Sequence, residues 1–125
     1  MAGSNQFGVA FKSEARALAQ AYNSPDLVNP NGRGVIVVID ATVIAATPSV
    51  VVKVQGKDPV SGKYFDLLTA AAVTGVSTVV LRIYPGLTAA AGLVVSDILP
   101  AVWRVVATHG DADSITYSVG YQLIN

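Results

Sequence analysis

Apolar and polar residues alternate along much of this chain in short runs that Gly and Pro residues separate. The clearest run is 115–122, in which every second residue from Ile115 to Tyr121 is apolar and the residues between them are polar or small. Alternation with a period of two is typical of an antiparallel strand that has one face in the core and the other in solvent. The pattern therefore predicts a half-buried strand in this segment.

Five further segments have the composition or the alternation of β-strands, namely 34–43, 49–56, 64–68, 77–84 and 102–108. Segment 34–43 is apolar on both of its faces, which favours a strand in the interior of a sheet. Pro59 and Gly62 lie between segments 49–56 and 64–68, at a spacing that suits a turn. Residues 49–68 are therefore predicted to form a β-hairpin.

Two segments have a less distinct pattern. Residues 16–22 could form a seventh strand or a short helix that begins at Ser13. Residues 87–99 include three consecutive alanines, which favour a helix, but Gly92 and Pro100 oppose a long one. We expect a loop there with at most a short helical turn. Six strands at this spacing without a long helix predict an all-β fold, an antiparallel β-sandwich that resembles a jelly roll.

The N-terminal residues differ from the rest of the chain. Residues 3–8 are mostly small and polar, yet Phe7 and Phe11 are two of the three phenylalanines in the sequence. So little apolar mass cannot form a core of its own, and chain termini are usually poorly ordered unless something holds them. We therefore expect an extended arm, residues 1–12, outside a single sandwich domain, residues 13–125. Phe7 and Phe11 are its predicted partner-binding residues.

Charge and cysteine content exclude several classes of function. Eight basic and eight acidic residues give a formal net charge of zero, which argues against nucleic-acid binding because phosphate contacts require a surplus of Lys and Arg. The chain has no cysteine, so disulfides, thiolate nucleophiles and zinc–cysteine sites are excluded. At 125 residues the chain has the length of a single domain.

Apolar residues make up 52% of the sequence, which raises the question of a membrane. The longest uncharged stretch, residues 67–81, is shorter than the roughly 20 residues that a membrane-spanning helix needs. The first residues lack the basic and apolar regions of a secretion signal. We therefore expect a soluble protein that is made in the cytoplasm and does not bind membranes. The surplus of apolar residues predicts self-association, with a homotrimer as the favoured state.

His109 is the only histidine, so a Ser-His-Asp triad would have to use it, with Asp111, Asp113 or Asp40 orienting its ring. The favoured interpretation is instead that residues 109–113 form a turn in which Asp side chains accept backbone hydrogen bonds. Calcium binding by Asp111 and Asp113 is a weaker alternative, because the Glu that closes an EF-hand loop is missing. We expect no catalytic residue, no metal and no cofactor.

Other candidate chemistry is also better explained by packing or solvation. Four acidic residues could in principle supply a pair of carboxylates for glycoside hydrolysis, but they fall in four separate segments: Glu14, Asp40, Asp66 and Asp97. Solvated surface charge is the favoured interpretation. Trp103 lies in the middle of a predicted strand, which favours core packing over stacking on a sugar.

The chain resembles a group of small virion proteins of tailed bacteriophages, the head decoration or cement proteins. Four runs carry the resemblance: RGVIVVIDAT, TPSVVVKVQGKDPVSGKYFDLL, VLRIYPGLTAAA and LPAVWRVVATHGDADSITYSVG. They cover residues 29–121, and the most specific parts are the hairpin around residues 56–64 and the block from 103 to 120. The resemblance implies a β-sandwich, commonly a trimer, on the exterior of the capsid, where it holds neighbouring capsomers together. It implies no catalytic residue.

The resulting functional hypothesis is a structural virion protein and not an enzyme. The resemblance makes the major capsid protein its partner and the capsid exterior its location, after synthesis in the bacterial host cytoplasm. A small tail or baseplate component is the alternative within virions. A carbohydrate-binding module that uses Trp103 and the tyrosines is the alternative from a different class.

Overall fold

The computed structural model describes residues 6–125, and in that part of the chain it contains ten β-strands and no helix. The prediction of an all-β fold is confirmed. The strands are β1 (Phe7–Arg16), β2 (Ala21–Asn23), β3 (Leu27–Val28), β4 (Gly34–Ile44), β5 (Val50–Lys57), β6 (Tyr64–Thr69), β7 (Ser77–Ile83), β8 (Val94–Val95), β9 (Val102–His109) and β10 (Ile115–Ile124).

Two sheets form the sandwich. The β1 sheet has the strand order β1-β10-β4-β7-β8, and the β9 sheet has the order β2-β9-β5-β6, with β3 also paired to β9. All of these pairings are antiparallel except that of β7 with β8. A β-sandwich is therefore confirmed at this level, whereas the jelly-roll topology stays a prediction.

The core lies between the two sheets and is built from every second residue of the long strands. Apolar side chains at these inward positions exclude water from both sheets, which is the main favourable term in folding. The fully buried members include Val35, Val37, Ile39, Val50, Val52, Val54, Trp103, Val105, Ile115, Tyr117 and Val119.

The six strands predicted from the pattern are all present, and their bounds differ from the predicted ones by at most two residues. The hairpin of β5 and β6 is confirmed by its antiparallel register, in which Lys57 faces Tyr64. β4 lies between β10 and β7, as its two apolar faces indicated. Residues 16–22 form neither the predicted seventh strand nor the short helix, since β1 ends at Arg16, β2 begins at Ala21 and residues 17–20 connect them.

The N-terminal arm is the prediction that the structure corrects. Residues 7–12 belong to β1, which pairs with β10 so that Phe7 faces Gln122 and Arg16 faces Ile115. The sandwich therefore includes residues 7–12, and the predicted domain boundary after residue 12 is wrong. This segment is held by backbone hydrogen bonds to β10, and not by the external partner that the sequence predicted. Residues 1–5 of the predicted arm lie outside the described residues.

Residues 87–99 form a loop, as predicted, that also contributes the two residues of β8. Gly92 has a φ of 75° in a turn of this loop, a conformation that favours glycine. Within residues 6–125 no helix is long and apolar enough to cross a membrane.

Candidate protein-binding face

His109 lies at the end of β9 and is buried between the sheets. Its Nε2 atom lies 2.8 Å from the hydroxyl oxygen of Tyr117, and the ring of Tyr22 packs against it at a centroid distance of 4.9 Å. Burial, and after it the positive charge of Arg16, lower the pKa of His109 below its usual value. The imidazole is therefore a neutral packing and hydrogen-bonding group within the core.

Arg16 is the charged side chain that accompanies His109 in this cluster. Its guanidinium is almost fully buried and donates hydrogen bonds to the carbonyl oxygens of Tyr117 at 3.0 Å, Lys12 at 3.0 Å and Glu14 at 3.2 Å. It also lies over the ring of Tyr117, 4.6 Å from the centroid. These contacts join β1 to β10, a role that the sequence did not indicate because Arg16 stands at the end of an irregular pattern.

The catalytic triad that the sequence allowed is not assembled. The carboxylate of Asp111 accepts a hydrogen bond from the backbone N–H of Asp113 at 3.0 Å, and Asp113 accepts from the N–H of Thr47 at 3.2 Å. Asp40 faces outwards and accepts from Thr78. The predicted turn with Asp side chains bonded to the backbone is therefore confirmed. Among residues 6–125, no group of three or more His, Asp or Glu side chains is placed to hold a metal ion.

The other predicted surface carboxylates have separate partners. Glu14 lies 3.4 Å from the guanidinium of Arg16, and Asp97 accepts a hydrogen bond from the N–H of Ile98 at 2.7 Å. Asp66 accepts from Gln55 at 2.8 Å, and this hydrogen bond lowers the pKa of Asp66. The structure thus places these carboxylates in individual surface interactions and does not bring them together around one cleft.

Trp103 is completely buried, and its ring meets that of Tyr121 edge to face at a centroid distance of 5.0 Å. The prediction that it packs in the core is confirmed. A buried indole cannot stack on a sugar, so Trp103 gives the carbohydrate-binding alternative no support.

The outer face of the β9 sheet has a polar and ionic centre, although Val28, Val51 and Val102 occupy other outward positions. Arg104, Gln55 and Asp66 form a row across three strands, with Nε of Arg104 2.9 Å from Oε1 of Gln55. The Arg104 guanidinium also stacks on the ring of Tyr64, 3.5 Å from its centroid. Lys57 forms an ion pair with Asp26 at 2.8 Å. These groups pair with one another and remain in contact with water, so their ion pairs add little to stability.

The outer face of the β1 sheet differs in having an apolar row at its centre. Strand register places four residues in a first row across four strands: Val9, Gly120, Val38 and Val80. All four are apolar or lack a side chain, and Val9 is 64% exposed. A row of this kind in the middle of a sheet leaves an apolar surface with a shallow dip at the glycine, where a neighbouring surface can approach closely.

The neighbouring rows frame this apolar strip. The second row contains Phe7, Gln122, Ile36 and Arg82, and the third row contains Ser118, Asp40 and Thr78. Beside the second row, Ile36 and Arg82 line a pocket of about 230 Å³ together with Tyr84, Leu87 and Ile124. Its lining is apolar apart from Arg82. The outer face of the β1 sheet, defined by these three rows, is the candidate protein-binding face.

The two predicted partner-binding phenylalanines have different positions. Phe7 is 78% exposed and belongs to the candidate face, so its role in binding stays a prediction. Phe11 is only 7% exposed and packs against Tyr117 with a centroid distance of 6.4 Å, within the core. Phe11 is therefore a core residue of this chain and is not available to a partner.

Sequence reasoning missed the candidate face, although one signal for it was present. Segment 34–43 has apolar residues on both of its faces, and the second face of a strand that lies in the outer layer of a sandwich must point away from the core. Ile36 and Val38 are those outward residues. Which residues of other strands lie beside them depends on register, which the pattern of one strand does not give.

Comparison of the chain with protein-family models, with curated proteins and with solved structures finds no match. The functional interpretation therefore depends on the residues and on their geometry.

Proposed function

We propose that the protein is a structural component of a virion, namely a decoration protein that binds the major capsid protein on the exterior of the head. The observation that carries this proposal is the apolar outer face of the β1 sheet, with Val9, Val38 and Val80 in one row. The resemblance of the sequence to head decoration proteins is the reason for proposing the phage head as the assembly.

An apolar face on a small sandwich favours a protein that works within an assembly. Contiguous exposed apolar surface is uncommon on proteins that remain monomeric, and it usually marks a protein–protein contact. The ionic face formed by Arg104, Lys57 and Asp26 lies on the other side of the same sandwich. A protein with this contrast can turn the ionic face to solvent while the apolar face lies against a protein neighbour.

A quantitative inventory of purified particles tests the proposed function. Mass spectrometry of purified particles of a phage that encodes this chain should detect the protein at hundreds of copies, in a fixed ratio to the major capsid protein. Release of the chain from intact heads by mild denaturant, with the shell remaining closed, would support a position on the exterior. A handful of copies per particle would indicate a tail or baseplate component, and absence from particles would overturn the virion hypothesis.

A further inference from the structure

We propose that in the free protein a second copy of this chain occupies the candidate face, and that two copies, and not the three predicted from the sequence, pack through this face about a two-fold axis. The inference rests on the proposed function in one respect: the capsid protein would displace the second copy from the same face. Association of the purified chain can be measured without any particle.

Arg82 is the first observation that points to a partner. It lies on β7 in the second row and is exposed, and its guanidinium has no hydrogen bond or ion pair with any residue from 6 to 125. Its neighbours are apolar, including Ile36 on the face and Leu87 in the adjoining pocket. An unpaired arginine within an apolar surface is a common feature of protein interfaces, where it binds a carboxylate of the partner.

The carboxylate that complements Arg82 is present on the same face. Asp40 lies in the third row, on the far side of the apolar first row, and it accepts a hydrogen bond from Thr78 at 3.0 Å. Arg82 and Asp40 are therefore separated by one row of the sheet and cannot both be neutralised within a single copy. A surface with a positive charge on one side of an apolar strip and a negative charge on the other can be complementary to a second copy of itself.

The position of the symmetry axis follows from this arrangement. Suppose that the two-fold axis runs along the first row, across the strands. Each strand then lies antiparallel over the same strand of the second copy, and Val38 and Val80 pack against the first row of that copy. The second row of one copy then faces the third row of the other. Arg82 comes to lie opposite Thr78 and beside Asp40 of the second copy, and symmetry repeats this ion pair.

A two-fold axis parallel to the strands explains less. It would place each row opposite the same row of the second copy. With the axis between β4 and β7, Arg82 of one copy would face Ile36 of the other. The guanidinium would then be buried without a carboxylate, which costs free energy. Charge complementarity therefore selects the axis that runs across the strands.

The size of the face is sufficient for a specific dimer. The four long strands span about 19 Å across at about 4.8 Å per strand, and the ten residues of β10 span about 34 Å. The face thus offers on the order of 650 Å² to a second copy, near the roughly 800 Å² per partner of a standard specific interface. Aligned packing of two sheets about 10 Å apart, as within a sandwich, would bury the first row.

Sedimentation velocity of the purified chain tests the dimer, with charge reversal at the two residues that should meet. At about 100 µM we expect a dimer of twice the 12.9 kDa monomer. Arg82→Asp and Asp40→Arg should each weaken association about tenfold or more, because like charges then face each other. The double variant R82D/D40R should restore it to within about threefold of the wild type.

Two controls separate association from folding. Lys63→Asp reverses an exposed charge in the turn between β5 and β6, away from the face, and should leave association unchanged. The circular dichroism spectrum of every variant should match the wild type, because Arg82 and Asp40 lie outside the core.

A monomer or a trimer at this concentration would overturn the dimer, and so would single variants that associate like the wild type. None of these results would change the number of copies in particles, so failure of the dimer and failure of the proposed function are distinguishable.

Discussion

Nε2 of His109 lies 2.8 Å from the Tyr117 hydroxyl, so the end of β9 in one sheet is joined by a buried hydrogen bond to β10 in the other. Burial lowers the pKa of His109 and raises the pKa of Tyr117 to about 12, and both shifts keep the pair uncharged near neutral pH. This contact between the sheets links the protonation of one residue to the stability of the sandwich.

Acid should destabilise the protein through His109. Its folded pKa lies below the usual value of 6.5, so the unfolded chain binds the proton more readily. The contribution of His109 to the free energy of unfolding is present above about pH 6.5 and is lost as the pH falls through the folded pKa. Urea denaturation at about pH 7.5 and about pH 5 should show this loss in the wild type.

His109→Gln is the matched variant, because glutamine does not titrate. It should be less stable than the wild type by about 1–3 kcal/mol at neutral pH, since the glutamine leaves the buried Tyr117 hydroxyl with no hydrogen bond or with a poorly aligned one. Its stability should change less between the two pH values. Asp26 and Asp66 also have a lowered pKa, but they titrate below their usual value of 3.8, outside this range. Equal pH dependence in wild type and variant would contradict the prediction.

The two phenylalanines of β1 should respond differently to truncation. Phe11→Ala should cost about 3–5 kcal/mol, because the ring is buried against Tyr117 and its removal leaves a cavity. Phe7→Ala should change the stability of the isolated chain by no more than about 0.5 kcal/mol, since Phe7 is exposed. Thermal melting of both variants checks this. A similar loss in the two would show that Phe7 also stabilises the fold.

Arg16→Met should destabilise the sandwich by on the order of 3 kcal/mol, because the carbonyl oxygens of Tyr117 and Lys12 lose a charged donor. Arg16→Lys should recover only part of this, since an ammonium group cannot match the planar fork of donors. Chemical denaturation gives both values. The control is Lys12→Ala, whose side chain is 80% exposed and which should stay within about 0.5 kcal/mol of the wild type.

Gly34→Ala should destabilise the β1 sheet, because a Cβ at this position would overlap the carbonyl oxygen of Ile83 in β7. Moving a paired strand to relieve this overlap should cost about 1–3 kcal/mol. Gly120→Ala is the control, since its Cβ would meet nothing closer than the Gly8 oxygen at 3.8 Å. It should be neutral or stabilising by up to about 1 kcal/mol. Equal melting temperatures of the two variants would contradict this explanation.

The long strands were predictable because their residues alternate without interruption. β10, for example, pairs with β4 in a regular register from Tyr117 to Ile124, and inward and outward residues alternate over that run. β1 was missed because its pairing with β10 shifts between Val9 and Phe11 and again between Phe11 and Glu14. Each irregularity changes which residues face the core, so no single period describes the segment. β3 and β8 have two residues each, too few to show a period.

The candidate face depends on information that is not local in sequence. Val9, Val38 and Val80 are unremarkable as separate residues, and only the register of three strand pairs places them in one row with Gly120. The same holds for Arg16, which no local pattern distinguishes from the other charged residues. Its acceptor in Tyr117 lies 101 residues along the chain, and no pattern within β1 indicates it.

The position of β10 between β1 and β4 has a consequence for synthesis on the ribosome. Among the strands of residues 6–125, β1 is the first to be made, and β10, its neighbour in the β1 sheet, is the last. At about 5–20 residues per second, the 101 residues from Arg16 to Tyr117 take about 5–20 s to be added. Pairing of two adjacent strands takes microseconds. Closure of this sheet is therefore timed by translation, and until then the Val-rich edge of β4 is open to pairing with other nascent chains.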